Sequence, residues 1–157
     1  MENEQIIRKF YEAFARSDAE AMISYYHEDI KFSDPAFQNL SGDEAKNMWR
    51  MLIERGRGNI KIEFSDVTAN DKTGSANWIA DYPFSKTGRN VHNEIHAEFE
   101  FKDGKIIRHT DTFNLWKWSK QALGLPGMLL GWSSLLQNKI RQNALDSLRE
   151  YSEKLRK

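Results

Sequence analysis

A chain of 157 residues is long enough to fold as one domain with a substantial hydrophobic core. Its 23 basic and 23 acidic residues balance, and we expect no nucleic-acid partner because such proteins normally carry a basic face. The lack of cysteine excludes disulfides, thiolate metal sites and thiol catalysis. No apolar run approaches the roughly 18 residues of a membrane span. The charged start MENEQIIRKF lacks the apolar region of a signal peptide, so we expect a cytoplasmic protein.

The first part of the chain has the pattern of two helices and a short strand. Residues 3–16 carry an apolar stripe at helical spacing. Asp18 can cap a second helix over residues 19–27. The sequence IKFSD at residues 30–34 predicts a short strand that Pro35 ends.

A third helix and four strands follow. Ser41 and Glu44 have the spacing of a capping box before a helix whose apolar stripe includes Trp49. Alternating apolar and polar residues then predict strands in a meander, and Asp103-Gly104 is a strong hairpin turn between the last two. The predicted strands cover residues 59–69, 75–84, 91–101 and 106–114.

The last of these strands places two polar residues on its apolar face. His109 and Asp111 share that face with Ile107 and Phe113. Because a carboxylate can orient an imidazole and raise its basicity, the pair has the composition of a proton-transfer unit. The alternative is structural: Asp111 bonds a neighbour such as Tyr82 or a helix end, while His109 fills a gap in the core.

His92 and His96 lie on the opposite, polar face of residues 91–101, with Glu94 between them. Four residues of strand span about 13 Å, which is too far for both rings to bind one ion. We therefore expect no metal site, and we expect this face to meet solvent or a second protein.

The tail of the chain is unusually apolar. Residues 125–136 read LPGMLLGWSSLL, and Pro126 suits a helix start. A narrow apolar stripe from about residue 133 onward predicts a long helix. We expect the apolar run to form a lid or a dimer clasp over the body, and contact with a membrane surface is the alternative.

Two stretches carry a resemblance to a known superfamily. They read IIRKFYEAFARSDAEAMISYYHEDIKFSDP and TGRNVHNEIHAEFEFKDGKIIRHTDTFN, and they lie within residues 3–114. Their order and spacing resemble the nuclear-transport-factor-2-like superfamily, which includes ketosteroid isomerases, SnoaL-type polyketide cyclases and limonene epoxide hydrolases.

The resemblance implies an α+β fold. Its form would be a cone-shaped roll, in which N-terminal helices pack on a curled antiparallel sheet around a deep pocket. The cone would span residues 1–118. Residues 119–157, with a long C-terminal helix, would form a helical extension that packs on the cone or on a dimer partner. The outer face of the sheet would make a homodimer.

The first comparison of functional positions is with the ketosteroid isomerases. Asp34, in the sequence Ser-Asp-Pro, matches their catalytic base, although an aspartate before proline also commonly starts a turn. Their oxyanion hole uses a tyrosine and a protonated aspartate, and the matching positions are Phe10 and Ala97. Neither side chain can donate a hydrogen bond, so we expect no steroid isomerisation by that mechanism.

The second comparison of functional positions is with the polyketide cyclases and the epoxide hydrolases. Asp111 matches a working aspartate that both groups place on the last strand, and the hydrolases pair it with an arginine and a second aspartate. The inward residues on the preceding strand are Asn93, Ile95, Ala97 and Phe99. They do not reproduce the charged triad, so we do not expect epoxide hydrolysis in that form.

We therefore expect a SnoaL-like protein with an internal pocket for a small hydrophobic or polyketide-like molecule, and with no metal or organic cofactor. General acid–base catalysis of an isomerase, cyclase or hydrolase type would rest on Asp34, His109 and Asp111. The expected ligand contacts are Tyr26, Trp49, Trp78, Tyr82, Asn93 and Phe113. Two alternatives stay open: a non-catalytic module that holds the same molecule, and an interaction domain that works through its outer sheet and tail.

Overall fold

The structure is a computed structural model that describes residues 2–156. Its helices are α1 (Asn3–Ala15), α2 (Ala19–Ile23), α3 (Asp43–Gly56), α4 (Leu115–Leu123), α5 (Leu125–Leu130) and α6 (Ser134–Leu155). Its strands are β1 (Tyr26–Ser33), β2 (Leu40–Ser41), β3 (Lys61–Ala69), β4 (Thr73–Pro83), β5 (Asn90–Lys102) and β6 (Lys105–Thr112). Among the described residues, no helix is both long enough and apolar enough to cross a membrane.

The six strands form one curled sheet in the order β2-β1-β6-β5-β4-β3. Neighbours run antiparallel, as predicted, except that β1 lies parallel to β6. The register shifts within the β1–β6, β3–β4 and β5–β6 pairs, and such irregularities bend strands. Helix α1 contacts β3 and β4, and α3 contacts β1 and β2. The fold is therefore the predicted α+β roll, with helices against a curled sheet.

Aromatic side chains fill the space between the helices and the sheet. From α1, Phe10 and Tyr11 are fully buried, and Trp49 from α3 is 2 % exposed. Trp49 makes edge contacts with Phe14 and with Phe32 of β1, at 5.1 and 5.5 Å between ring centroids. Burial of several large rings is a dominant favourable term for a domain of this size.

The structure differs from the sequence prediction at several places, and one is the start of α3, where Gly42 is the N-cap and no side chain caps the helix, in contrast to the predicted capping by Ser41. The second helix ends at Ile23, and Tyr26 begins β1 instead, because it pairs with Ile106 across the parallel strands. This tertiary pairing overrides the local helical pattern. Helix α4 was not predicted, although Asn114 caps it by accepting a bond from the backbone N–H of Lys117. The two-residue strand β2 was not predicted either.

Helix α6 lies along α3 and reaches the turn after β1. Leu148 is 1 % exposed, and the hydroxyl group of Tyr151 donates to Glu54 of α3 at 2.7 Å. Closer to the start of the helix, Nε of Arg141 donates to the backbone oxygen of Pro35 at 2.9 Å. The C-terminal helix thus fastens the turn that carries Asp34.

Candidate functional site

The strand register brings two aspartates to one end of the cone. In the parallel pair, Ser33 of β1 lies beside Thr110 of β6. Asp34 and Asp111 are the next residues along the two neighbouring chains. The two residues also interact electrostatically, because the charge of Asp111 helps to raise the pKa of Asp34. We call this end of the cone, where β1 and β6 finish, the open end.

A chain of side-chain hydrogen bonds runs inward from Asp111. Its carboxylate Oδ1 lies 2.8 Å from Nε2 of His109 and accepts from Nε1 of Trp78 at 3.3 Å. Nδ1 of His109 lies 2.7 Å from the hydroxyl group of Tyr26, which accepts from Nε1 of Trp49 at 2.8 Å. We call these five residues the relay; it joins α3 to strands β1, β4 and β6.

The direction of the relay follows from what each group can donate. The indole N–H of Trp49 can only donate, so the oxygen of Tyr26 accepts and its own proton points to His109. Asp111 as a carboxylate accepts from both neighbours, so His109 carries its proton on Nε2. A neutral imidazole satisfies every partner in this arrangement.

Aromatic rings enclose the imidazole. His109 has no exposed surface, and its ring lies 4.5 Å from Phe99, 5.0 Å from Phe32 and 5.6 Å from Phe10. Trp49 stacks nearly parallel to it at 6.1 Å. A ligand at the open end would therefore meet Asp111 before His109, so His109 can act only through its neighbours.

Asp111 is the relay member that accepts two hydrogen bonds on a single oxygen atom. It is 4 % exposed, and both of its bonds end on Oδ1. Oδ2 accepts no hydrogen bond within residues 2–156, so it is left for a further donor. The single negative charge of the relay is thus held by two fixed donors on one oxygen.

Asp34 combines a structural and an acid–base property. Its Oδ1 accepts from the backbone N–H groups of Ala36 and Phe37 at 2.7 and 2.5 Å, which is the turn that Asp before Pro favours. Burial, and to a smaller extent the charge of Asp111, nevertheless raise the pKa of this carboxyl group to about 7 against the effect of these two bonds. Asp34 is only partly buried, so this residue reaches the surface of the protein.

We call the four predicted site residues that make no hydrogen bond within the relay the rim: Asp34, Tyr82, Asn93 and Phe113. Asn93 faces inward on β5 beside Ala80 and is 9 % exposed. Tyr82 and Phe113 are partly buried and pack against the core. The remaining predicted contacts, Tyr26, Trp49 and Trp78, lie deeper and belong to the relay.

Tyr82 is held by a residue that the sequence reasoning missed. The indole Nε1 of Trp118, on α4, donates to the Tyr82 hydroxyl group at 2.8 Å. Burial and the charge of Asp34 raise the pKa of Tyr82 to about 12, even though the bond from Trp118 acts in the opposite direction. The Tyr82 hydroxyl group therefore keeps its proton and can donate it to a ligand at the rim.

Tyr11 is a second residue that sequence reasoning missed, because it sits on the apolar stripe of α1 beside Phe10. Its ring is fully buried against Phe64 and Trp78, and its hydroxyl group has no partner among the described residues. Burial, and then the charge of Asp111, raise the pKa of this tyrosine well above its usual value. A buried donor without a hydrogen-bond partner destabilises the fold, and here this donor is the Tyr11 hydroxyl group.

Two surface grooves lie away from the predicted site residues. One groove of about 760 Å³ lies between the α1–α2 turn, α3 and α6, and includes Glu20, Arg50 and Tyr151. Another of about 800 Å³ lies near the β3–β4 turn and the edge of β6. Neither contains a predicted site residue.

No group of three or more potential metal ligands occurs within residues 2–156. On the outer face, His92 bonds Asp81 at 2.6 Å, whereas His96 bonds Asn77 at 2.8 Å. The two rings thus have separate partners on β4.

Comparison with known proteins places this α+β roll in a family. The chain belongs to the SnoaL-like domain family, whose model matches residues 7–109. The matched region includes the relay as far as His109. No functionally curated protein is significantly similar to the chain in sequence.

Solved structures share the fold at low sequence identity. A protein from Xanthomonas campestris that is proposed to be a polyketide cyclase is 24% identical, with 74% of this chain and 93% of that chain covered and a TM-score of 0.60. An LEH-like epoxide hydrolase from M. tuberculosis is 18% identical, with 81% and 94% covered and a TM-score of 0.58. An NTF2-like protein of unknown function from Burkholderia pseudomallei is 16% identical, with 73% and 92% covered and a TM-score of 0.58. At these identities the likeness shows the fold alone.

Proposed function

We propose that this SnoaL-like protein binds a small hydrophobic or polyketide-like molecule at the rim of its cone and moves a proton on it by general acid–base catalysis. The observation that supports the proposal is the pairing of Ser33 with Thr110, after which Asp34 and Asp111 follow on neighbouring chains, together with the contribution of the Asp111 charge to the raised pKa of Asp34. Such a pair keeps one carboxyl group protonated and the other charged, and enzymes use this division for acid and base roles.

Asp34 is the group that exchanges the proton. A pKa raised to about 7 suits a group that both accepts and donates a proton at neutral pH, where general acid–base catalysis is most efficient. Its partly exposed position lets it touch a bound molecule. Arg141 supports this role by holding the turn through the Pro35 oxygen.

Asp111 and His109 provide a fixed negative charge. Oδ2 of Asp111 can accept from a ligand hydroxyl group, while His109 orients the carboxylate from behind as a positioning residue. Because Phe10 and Ala97 cannot form the isomerases' oxyanion hole, another donor must stabilise a developing enolate oxygen. Tyr82, which accepts from Trp118 and keeps its own proton, and the amide group of Asn93 supply donors at the rim.

The proposal also covers the oligomeric state and the cellular location of the protein. We propose a homodimer through the outer face of the sheet, where the exposed side chains of β5 include His92, Glu94 and His96. We also propose a cytoplasmic protein. No metal or organic cofactor takes part in the proton transfer described above.

Deuterium uptake from D₂O into the carbon next to the carbonyl group of 2-tetralone, a small hydrophobic bicyclic ketone, tests the proposal. Mass spectrometry at neutral pH should show uptake faster than in buffer. Asp34→Asn and Asp111→Asn should each lose at least about a hundredfold of the enzymatic rate. Asp71→Asn, an exposed aspartate in the β3–β4 turn, is the control that should keep it. Uptake that is equally fast in all four proteins would overturn the proposal.

A second candidate, a non-catalytic binding module, has one specific observation in its favour. The imidazole of His109 is sealed by rings and has no exposed surface, as expected for a purely structural histidine. Binding of 2-tetralone at the rim, seen as NMR shifts of Asn93 and Phe113 without deuterium uptake, would favour this candidate.

A further inference from the structure

Helix α5 is packed with its small residues inward and its large apolar residues outward. Gly127 is buried against α4, where a Cβ atom would lie 2.0 Å from the backbone oxygen of Ser119. At Gly131, just after the helix, a Cβ atom would lie 2.1 Å from Oγ of Ser119. These glycines let the two helices approach closely and fix which face of α5 points away from the protein.

The outward face is a patch of large apolar side chains. Leu125, Met128, Leu129 and Leu130 are 49–62% exposed, and Trp132 is 66% exposed. The patch continues onto α4 with Trp116 and onto α6 with Leu135, which are 40% and 83% exposed. We call these seven residues the apolar patch. Contiguous exposed apolar surface of this kind marks an interaction site, because water contact of so many large side chains is unfavourable.

The stretch of chain that carries the patch has charges of one sign. Between Asp111 and Asp146 the sequence contains no acidic residue, although the chain as a whole is balanced. The same stretch contains Lys117, Lys120, Lys139 and Arg141. Nζ of Lys120 lies 4.6 Å from the centre of the Trp116 ring, so positive charge borders the patch directly.

We propose that the apolar patch binds the surface of a membrane that contains anionic lipids. Leucine and methionine side chains beside two tryptophans suit the boundary between acyl chains and headgroups, where indole rings are favoured. The lysines would meet lipid phosphate and carboxylate groups. The patch lies on the membrane without crossing it, in agreement with the lack of a membrane-spanning helix among the described residues.

The charges argue against a second copy of the chain as the occupant. A two-fold dimer through this patch would bring the same lysines of both copies to one boundary, where like charges repel. A lid over the cone would need the large side chains of α5 to face inward, whereas Gly127 occupies the inward position.

Flotation of the full-length protein with vesicles tests this inference. Wild-type protein should float with phosphatidylcholine vesicles in which about a third of the lipid is phosphatidylserine, and binding should weaken with salt and without phosphatidylserine. Trp132 should shift its fluorescence to shorter wavelength on binding. Lys117→Gln should weaken binding about fivefold.

A matched pair of variants separates the patch from general apolarity. Leu130 and Leu155 are 54% and 52% exposed, but Leu155 lies at the far end of α6. Leu130→Ser should weaken vesicle binding about tenfold, and Leu155→Ser should leave it unchanged. Wild-type protein that stays with pure buffer fractions, or a Leu130→Ser variant that binds like wild type, would overturn the proposal. So would a wild-type oligomer, measured by light scattering, that Leu130→Ser dissociates.

Discussion

Tyr26 and His109 are 83 residues apart in sequence, and a 2.7 Å hydrogen bond joins them in the fully buried centre of the cone. Both also bond a further partner, since Tyr26 accepts from Trp49 and His109 donates to Asp111. The polar groups of the relay therefore satisfy one another where water cannot. This makes the relay a structural element as well as the support of the open end.

We expect Tyr26→Phe to destabilise the protein by about 2–4 kcal/mol, because it leaves both the Trp49 N–H and Nδ1 of His109 buried without a partner. Chemical denaturation monitored by circular dichroism measures this change.

Tyr11→Phe is the matched control. The same hydroxyl group is removed, but this one has no partner among the described residues. We expect stability to stay the same or to rise by up to about 1 kcal/mol. Equal losses in the two variants would contradict the hydrogen-bonding pattern of the relay.

Asp34→Asn should stabilise the protein at high pH and not at low pH. The folded-state pKa of about 7 lies above the ordinary 3.8, so the folded state binds this proton more tightly than the unfolded state. Stability therefore falls as the pH rises through the window between these values. Asparagine cannot ionise, and its oxygen can keep the bonds from Ala36 and Phe37.

Relative to wild type, we expect a gain of roughly 2 kcal/mol for Asp34→Asn at about pH 8 and none at about pH 4; this is half of the full linkage value, because the group is partly exposed. Urea denaturation at both pH values measures it. Asp71→Asn should show no such dependence. A gain for Asp34→Asn that is equal at both pH values would show that ionisation is not its cause.

Gly127→Ala should destabilise the protein by about 2 kcal/mol, although alanine is normally the better helix former, because the new methyl group overlaps the Ser119 carbonyl group. Thermal unfolding measures the change. Met128→Ala, at the exposed neighbouring position, should stay within about 0.5 kcal/mol of wild type. A stabilised Gly127→Ala variant would mean that α5 is not docked on α4 in this way.

Arg141→Met should loosen the turn that carries Asp34. The substitution removes the bond to the Pro35 oxygen but keeps most of the apolar stem, so we expect a loss of about 1 kcal/mol. Hydrogen exchange should become faster at the amides of Ala36 and Phe37. Arg149→Met, at an exposed position on the same helix, should change neither quantity; if it changes both equally, the bond to Pro35 is not the cause.

Local patterns were sufficient for much of the fold. Period-two alternation located the four long strands and placed His109 and Asp111 on the inward face. The helical stripe of residues 3–16 likewise predicted α1. These elements are visible in sequence because each residue needs only its neighbours to define the buried face.

What the sequence could not reveal depends on contacts distant in the chain. The parallel pairing of β1 with β6 made Tyr26 a strand residue and aligned Ser33, which precedes Asp34, with Thr110, which precedes Asp111. The donors Trp49 and Trp78 could be expected as apolar walls, but their N–H bonds follow only from the assembled cone. The expected internal pocket likewise depends on rotamers and packing, which a single sequence does not define, and it stays a prediction.

The most direct test of the account is the titration of the Asp34 carboxyl carbon by NMR, in wild-type protein and in Asp111→Asn. We expect a pKa near 7 in wild type and a lower value in the variant, because the charge of Asp111 contributes to the shift. A wild-type pKa near 3.8, or one that Asp111→Asn leaves unchanged, would contradict the paired carboxyl groups on which the proposed proton transfer rests.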